Sequence, residues 1–341
     1  MAEAGQSKRG LKIAIQVLGT LAGLASLGWC LKTALKPESR AQLAKLWEAP
    51  AYLIVAMLGI SLLTLALNGL SFWITLFPVR RLRVVDILAT NGICTFLGYL
   101  PFKLGAVTRF VIHNRRDKIP VATCGAWFAA LAVIMLTNFG IMVGTAILRG
   151  KIDLVWGVMT VGALVVAGLL IVGVSRVFKG ERGLQRMEGI VGMTRIAALK
   201  KPLRWKLWLQ LHAGFEMLAH PGAVAGGLAN RLVDAGVQSL RFMVAARILQ
   251  IDLAPQQALL VSMLYFIVGI FSPSGLAGLR EGAVGAWAGS LLVMAGMTGE
   301  GAEANFNNLG LLVSATEFVA FLIGGGLGML WLRPDRLFRK K

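Results

Sequence analysis

The chain has 341 residues, of which 57% are hydrophobic and 15% charged. Soluble domains carry about 25% charged residues, so there is too little polar material here to cover a water-facing surface. The formal charge of +19 would suit nucleic acid, but Lys and Arg sit between apolar runs and no basic-aromatic module is present, so no nucleic-acid partner is expected.

A helix that crosses a bilayer needs ~20 apolar residues, and the chain holds several such runs. The first, Leu11–Leu31, follows a basic start at Lys8, Arg9 and Lys12. It is longer than the apolar part of a secretory signal and has no small-x-small exit before Lys32, so it is expected as a retained span. Tyr52–Phe77 is the second span.

Val84–Ile112 differs from an ordinary span. Basic clusters bound it on both sides, Arg80-Arg81-Leu82-Arg83 before and Arg115-Arg116-Asp117-Lys118 after. Its first uncharged arm, Ile87 to Leu100, rises only ~21 Å at 1.5 Å per residue, short of a ~30 Å core. Pro101 ends that arm, and Lys103 and Arg109 follow in the second. A short helix, a break and a short charged helix describe a re-entrant hairpin, tolerated where protein or a wet cavity surrounds it.

Val121–Leu148 and Leu154–Val177 are two further spans, and a weaker one lies within Gly222–Ile248. Between them, Lys200–His220 is basic and aromatic (Arg204, Trp205, Lys206, Trp208) and reads as an interfacial helix,. Gln257–Met297 repeats the hairpin design with a break at Ser272-Pro273-Ser274-Gly275 and without basic flanks. Leu309–Leu332 is the last span. Small-residue pairs at Gly19/Gly23, Gly140/Gly144 and Gly324/Gly328 are expected at helix contacts,.

Gly98 to Arg109 reads GYLPFKLGAVTR and Gly269 to Arg280 reads GIFSPSGLAGLR. Gly, Pro, Leu, Gly and Arg recur in the same order. The fold expected is therefore an all-α polytopic membrane protein of about six spanning helices plus two re-entrant helical hairpins, arranged as an inverted repeat. Residues 1–150 form the first repeat with hairpin 84–112, and residues 151–341 the second with hairpin 257–297. Broken helices meeting near the midplane are a feature of transporters.

A charge on a lipid-facing helix centre costs ~2.5–3.5 kcal/mol, so Arg109, Arg280, Glu281 and Glu317 each need a partner or a wet cavity. Arg280 and Glu281 follow a Gly-rich turn containing Gly275 and Gly278, where backbone N–H groups favour an anion. Arg109, with Lys103 and Gly105 nearby, would do the same from the other break, and its planar fork suits phosphate. The alternative for Arg280 and Glu281 is a structural ion pair with each other or with Glu317. Arg231 and Asp234, at i and i+3, read as an intrahelical pair. Cys30, Cys94 and Cys124 form no C-x-x-C, and His113, His212 and His220 have no ligand spacing,. No P-loop, G-x-S-x-G, Rossmann or metal-ligand motif occurs, so neither an enzyme, a cofactor nor a metal is expected.

The two breaks resemble the lysylphosphatidylglycerol synthase transmembrane-domain family, a flippase-like family that also includes bacterial inner-membrane proteins. The first signature is carried by Pro101, Lys103, Gly105 and Arg109, with Ala106 where the family usually has Glu or Asp. The second is carried by Pro273, Gly275, Leu276, Gly278 and Glu281, with Ser274 for the first glycine and one extra residue. Synthases of that family continue into a cytosolic aminoacyl-transferase domain, whereas this chain ends at Lys341. The resemblance thus implies the flippase-like half alone. It would bind or translocate an anionic lipid or a polyprenyl-phosphate carrier in a bacterial-type inner membrane. The alternative is a non-transporting membrane subunit with a separate glycosyl- or aminoacyl-transferase partner.

Orientation follows from counting basic residues. With both termini cytoplasmic and both hairpins re-entrant, cytoplasmic segments hold 23 of the 35 Lys and Arg and outside segments hold 6. Reporter fusions within Glu300–Asn308 should accordingly read outside, and fusions after Arg182 and at Lys341 cytoplasmic. A cytoplasmic reading at Glu300 would remove the second hairpin and the inverted repeat with it.

Overall fold

Long apolar runs punctuated by Pro and Gly leave the backbone one economical choice in an apolar solvent, which is to bond within each helix. The computed structural model describes residues 37–99, 104–193, 212–271 and 302–333, together with Gly28, Lys32, Leu35 and Trp208. All regular structure among them is helical. The elements are α1 (Pro37–Glu48), α2 (Ala51–Leu76), α3 (Val84–Leu97), α4 (Leu104–Arg115), α5 (Val121–Arg149) and α6 (Leu154–Phe178). They continue with α7 (Gly180–Met193), α8 (Ala213–Leu218), α9 (Pro221–Ile248), α10 (Pro255–Phe271) and α11 (Ala302–Leu332). Among the described residues four helices are long and apolar enough to cross a membrane: α2, α5, α6 and the Phe306–Leu332 part of α11.

The helix ends follow local chemistry. Pro37, Pro221 and Pro255 open α1, α9 and α10, where a missing N–H is harmless. Gly150 closes α5 at φ 70° and donates its N–H to the Ala146 carbonyl at 2.9 Å. Asp153 then caps α6 by accepting the Trp156 N–H at 2.9 Å. That backbone bond, with the Arg149 guanidinium 2.8 Å away, holds the Asp153 carboxyl below the usual carboxylate range. The tight turn between two spans is thereby fixed at both ends.

The helices divide into two compact units. The first comprises the described residues within Met1–Leu65, Asn91–Thr108 and Ala235–Met329. Its core joins Leu53 and Met57 of α2, Phe242 and Ala245 of α9, Val261 and Tyr265 of α10, and Leu309 and Val313 of α11. In the same unit α3 crosses α11 at backbone distance. A Cβ on Gly92 would fall on the Gly324 carbonyl oxygen, and one on Gly325 would lie 2.9 Å from the Phe96 Cβ. Asn91 seals the crossing by donating its amide to the Leu65 carbonyl at 2.8 Å. α3 ends at Leu97 and passes into a turn at Gly98 and Tyr99, and α4 begins at Leu104. Gly105 is pressed against the end of α3, since a Cβ there would overlap the Cys94 carbonyl oxygen.

The second unit comprises the described residues within Ala66–Thr90, Arg109–Asp234 and Leu330–Lys341. Its core is built on the buried Trp127 of α5, which donates Nε1–H to the Phe72 carbonyl at 2.9 Å and meets the Phe72 ring edge-on at 5.4 Å. Ile134, Leu164, Val172 and Leu228 extend it. Polar residues inside it bond to backbone or to each other: Asn138 to the Leu228 carbonyl at 3.0 Å, and Thr145 with Thr160 at 2.7 Å.

Several expectations fall outside the described residues. They are the first span Leu11–Leu31, Gly19/Gly23, Pro101, Lys103, the break at Ser272 to Gly275, Gly278, Arg280 and Glu281. Most of the Lys200–His220 segment does too, α8 being its described part. The segment expected as a weak span is a 28-residue helix, α9, which is not one of the four helices apolar enough to cross a membrane. One expectation is corrected: among the described residues nothing lies within 4 Å of a Cβ placed on Gly140 or Gly144, so that pair makes no close helix contact there.

These environments predict opposite outcomes for the same change. Gly92→Ala should destabilise the protein by about 1–3 kcal/mol, because backbone must move to admit the methyl. Gly140→Ala should be neutral or stabilise by up to about 1 kcal/mol through helix propensity. Thermal unfolding of both variants in detergent measures the contrast.

Candidate functional site

A helix of 28 residues with Arg231, Asp234, Gln238 and Arg241 spaced three or four apart carries a polar stripe along one face. All four side chains of α9 are buried. Buried ions must be paired and hydrogen-bonded to be tolerated, and α9 meets that demand separately in each unit.

In the second unit, Arg231 donates from Nη1 to Asp234 Oδ2 at 3.0 Å and from Nη2 to Asn68 Oδ1 at 2.8 Å. The neighbouring Asn230 donates to Ser71 Oγ at 2.6 Å and to the Leu67 carbonyl at 2.9 Å. The expected intrahelical pair is therefore present, and α2 supplies an acceptor for it. These bonds tie α9 to α2 and read as structure.

In the first unit, Arg241 donates from Nη1 to Glu317 Oε1 at 2.5 Å. Tyr265 of α10 donates its hydroxyl to Glu317 Oε2 at 2.9 Å, and Tyr99 approaches the same oxygen at 3.4 Å. Ser314 lies 2.6 Å from the Tyr265 oxygen. Since Tyr265 has one proton and gives it to the carboxylate, Ser314 is the donor in that contact. Glu317 is thus held by three side chains from three segments. Arg241 is fully buried, yet its Nε and Nη2 have no hydrogen-bond partner among the described residues. The guanidinium fork is engaged on one side and open in valence on the other.

The residues expected from sequence are distributed as follows. Glu317 lies in the cluster just described, and its partner there is Arg241. Arg109 belongs to the second unit, on α4, 4% exposed, with its guanidinium carbon 3.8 Å from the centre of the Phe72 ring. That distance is close for a cation over an aromatic face. Near it on the same helix, the buried His113 Nδ1 lies 2.7 Å from Asp117, and its ring meets Trp127 edge-on at 5.0 Å. Gly105 lies against the Cys94 carbonyl near the end of α3, as described. Lys103, Arg280, Glu281, Pro101, Pro273, Ser274, Gly275 and Gly278 lie outside the described residues. Among the described residues no cluster of three His, Cys, Asp or Glu side chains is arranged to hold a metal ion.

Sequence reasoning did not single out Arg241, Tyr265 or Tyr99. Arg241 lies three residues from Gln238 and seven from Asp234, so the polar stripe was a usable signal. The tyrosines gave none.

Removing Arg241 leaves the Glu317 carboxylate buried without its cation, which typically costs about 3–5 kcal/mol. Arg241→Ala should therefore lower the melting temperature sharply. Arg241→Met combined with Glu317→Gln should recover most of the loss, because Gln still accepts from Tyr265. Additive losses in the double variant would show that the pair is not coupled. Comparison with protein-family models, with curated proteins and with solved structures finds no match for this chain.

Proposed function

We propose that this protein binds an anionic membrane lipid by its phosphate and moves it between leaflets, with Arg241 as the anion-binding group. The observation that carries the reading is the state of that side chain. It is a fully buried arginine on an otherwise largely apolar helix, using one of its three nitrogens. Intramembrane ionisable residues mark substrate and ion pathways by default, and an arginine fork suits a phosphate with two parallel hydrogen bonds.

The arrangement supplies a means of exchange. A phosphate meeting Nε and Nη2 need not evict Glu317 at once, because the carboxylate is bonded to Nη1. When the carboxylate does leave, Tyr265 still donates to it, so neither ion is stranded. Lys103, Arg280 and Glu281 are the further headgroup contacts in this reading, Arg109 is a separate candidate phosphate contact within the second unit, and Pro101 and Pro273 mark the tips of the two breaks.

The architecture that goes with it has about six spans, two re-entrant hairpins related as an inverted repeat, and both termini cytoplasmic in a bacterial-type inner membrane. Three features support the first hairpin. The α3 helix has 14 residues, about 21 Å long. The chain leaves helix between Leu97 and Leu104. Gly105 brings the second arm against the end of the first.

Arg241→Lys keeps the charge that Glu317 needs and removes the planar fork. In proteoliposomes carrying a fluorescent anionic phospholipid, this variant should move the probe at least about tenfold more slowly than the unaltered protein while melting at nearly the same temperature. An undiminished rate would overturn the assignment of Arg241. An unaltered protein that moves no anionic lipid at all would favour the transferase-supporting subunit instead.

A further inference from the structure

We propose that α6 and α9 form a second lipid site, in which an anionic phospholipid lays one acyl chain in a groove and its phosphate on Arg176. The second unit contains a groove of about 390 Å³, within the usual size range of small-molecule sites. Its walls are apolar, with Val165, Leu169 and Val172 from α6 and Val224 and Leu228 from α9. Gly168 gives the floor its depth, because a Cβ there would stand 3.2 Å from Leu228 Cδ1. From Val161 to Arg176 the α6 wall runs about 22 Å at the helical rise, enough for a chain that fills one leaflet of a ~30 Å core.

Charge identifies the occupant. Among the described residues that line the groove, Arg176 is the one that is charged. It is exposed, and among the described residues no salt bridge involves it. It stands at the end of α6 where Phe178 meets Phe215, 6.1 Å between ring centres, beside the start of α9 at Pro221. Exposed Lys179 follows α6 directly, and exposed Glu181 and Arg182 stand in the first turn of α7, so the groove ends beside a stretch with a net positive charge. An apolar trough long enough for the acyl chain of one leaflet, ending in an arginine with no salt bridge among the described residues, fits a phospholipid with an anionic headgroup. It does not fit a neutral detergent or a soluble anion. The site stands whether or not Arg241 carries a transported lipid.

The test is native mass spectrometry of the full-length, delipidated protein, titrated with phosphatidylglycerol or phosphatidylcholine of the same chain length. The first phosphatidylglycerol should bind about tenfold more tightly than phosphatidylcholine. Arg176→Gln should abolish that preference, and Arg176→Lys should keep most of it. Ala229→Trp, at an exposed position on the groove wall, should weaken both lipids, and Gly168→Leu serves as a second blocking variant. The same titration in an Arg241→Lys background separates this site from the proposed transport site. Equal affinity for the two lipids, or Arg176→Gln or both blocking variants binding as the unaltered protein does, would overturn the proposal. So would a dimer that Ala229→Trp dissociates, since the groove would then hold a second copy of the chain.

Discussion

Burying charge in apolar surroundings is the constraint from which most of this structure follows. The helix that carries the charge, α9, has four ionic or amide side chains along one stripe, and each must be answered from inside the protein. In one unit the answer comes from Asn68 and Asp234 around Arg231, in the other from Glu317 around Arg241. The neighbours of α9 are chosen accordingly. A helix without Asn68 or Glu317 at the right height would leave a buried arginine unpaired, a penalty of about 3–5 kcal/mol, comparable to the burial of about two leucines.

Close backbone contact is the second constraint, and it serves the first. Helices that must bring polar atoms together in a lipid-like medium gain little from further apolar burial, so they rely on proximity. Gly92 against Gly324, and Gly105 against the Cys94 carbonyl, remove the side chains that would keep α3, α4 and α11 apart. The gain appears nearby in the first unit. Tyr99, at the end of α3, packs edge-on against Phe318 at 5.6 Å and brings its hydroxyl toward Glu317. A bulky residue at Gly92 would move that tyrosine as well as the helix.

Apolar length was legible from sequence because it is a local property. The predicted boundaries Tyr52–Phe77, Val121–Leu148 and Leu154–Val177 lie within a residue of the helices α2, α5 and α6. Spacing on one helix was legible too, as with Arg231 and Asp234. The Arg241–Glu317 pair was not, because its members are 76 residues apart and only tertiary packing brings that arginine to Glu317. The α9 helix looked like a weak span for the same reason. Average hydropathy subtracts its buried polar stripe, although that stripe faces protein. Glycine spacing misled in a complementary way: Gly140/Gly144 has the same i, i+4 pattern as Gly324/Gly328, but only partner geometry tells a contact from a bare surface.

The hydrogen-bond order within the Arg241 cluster carries the functional argument one step further. A buried ion pair is weak evidence of stabilisation, since well-packed apolar residues often do as well. What the pair offers here is a carboxylate with spare support. Glu317 accepts from Tyr265, which in turn is supplied by Ser314, so the proton chain points toward Glu317 whether or not Arg241 is attached. Arg241 has no comparable second acceptor among the described residues. The cluster is therefore asymmetric: losing contact leaves the anion held by hydroxyls, and the cation with the Tyr265 ring 5.9 Å away but no hydrogen-bond acceptor among the described residues. Such a site favours bringing in another anion over separating the pair, and the anion that an arginine fork best accommodates inside a membrane is a lipid phosphate.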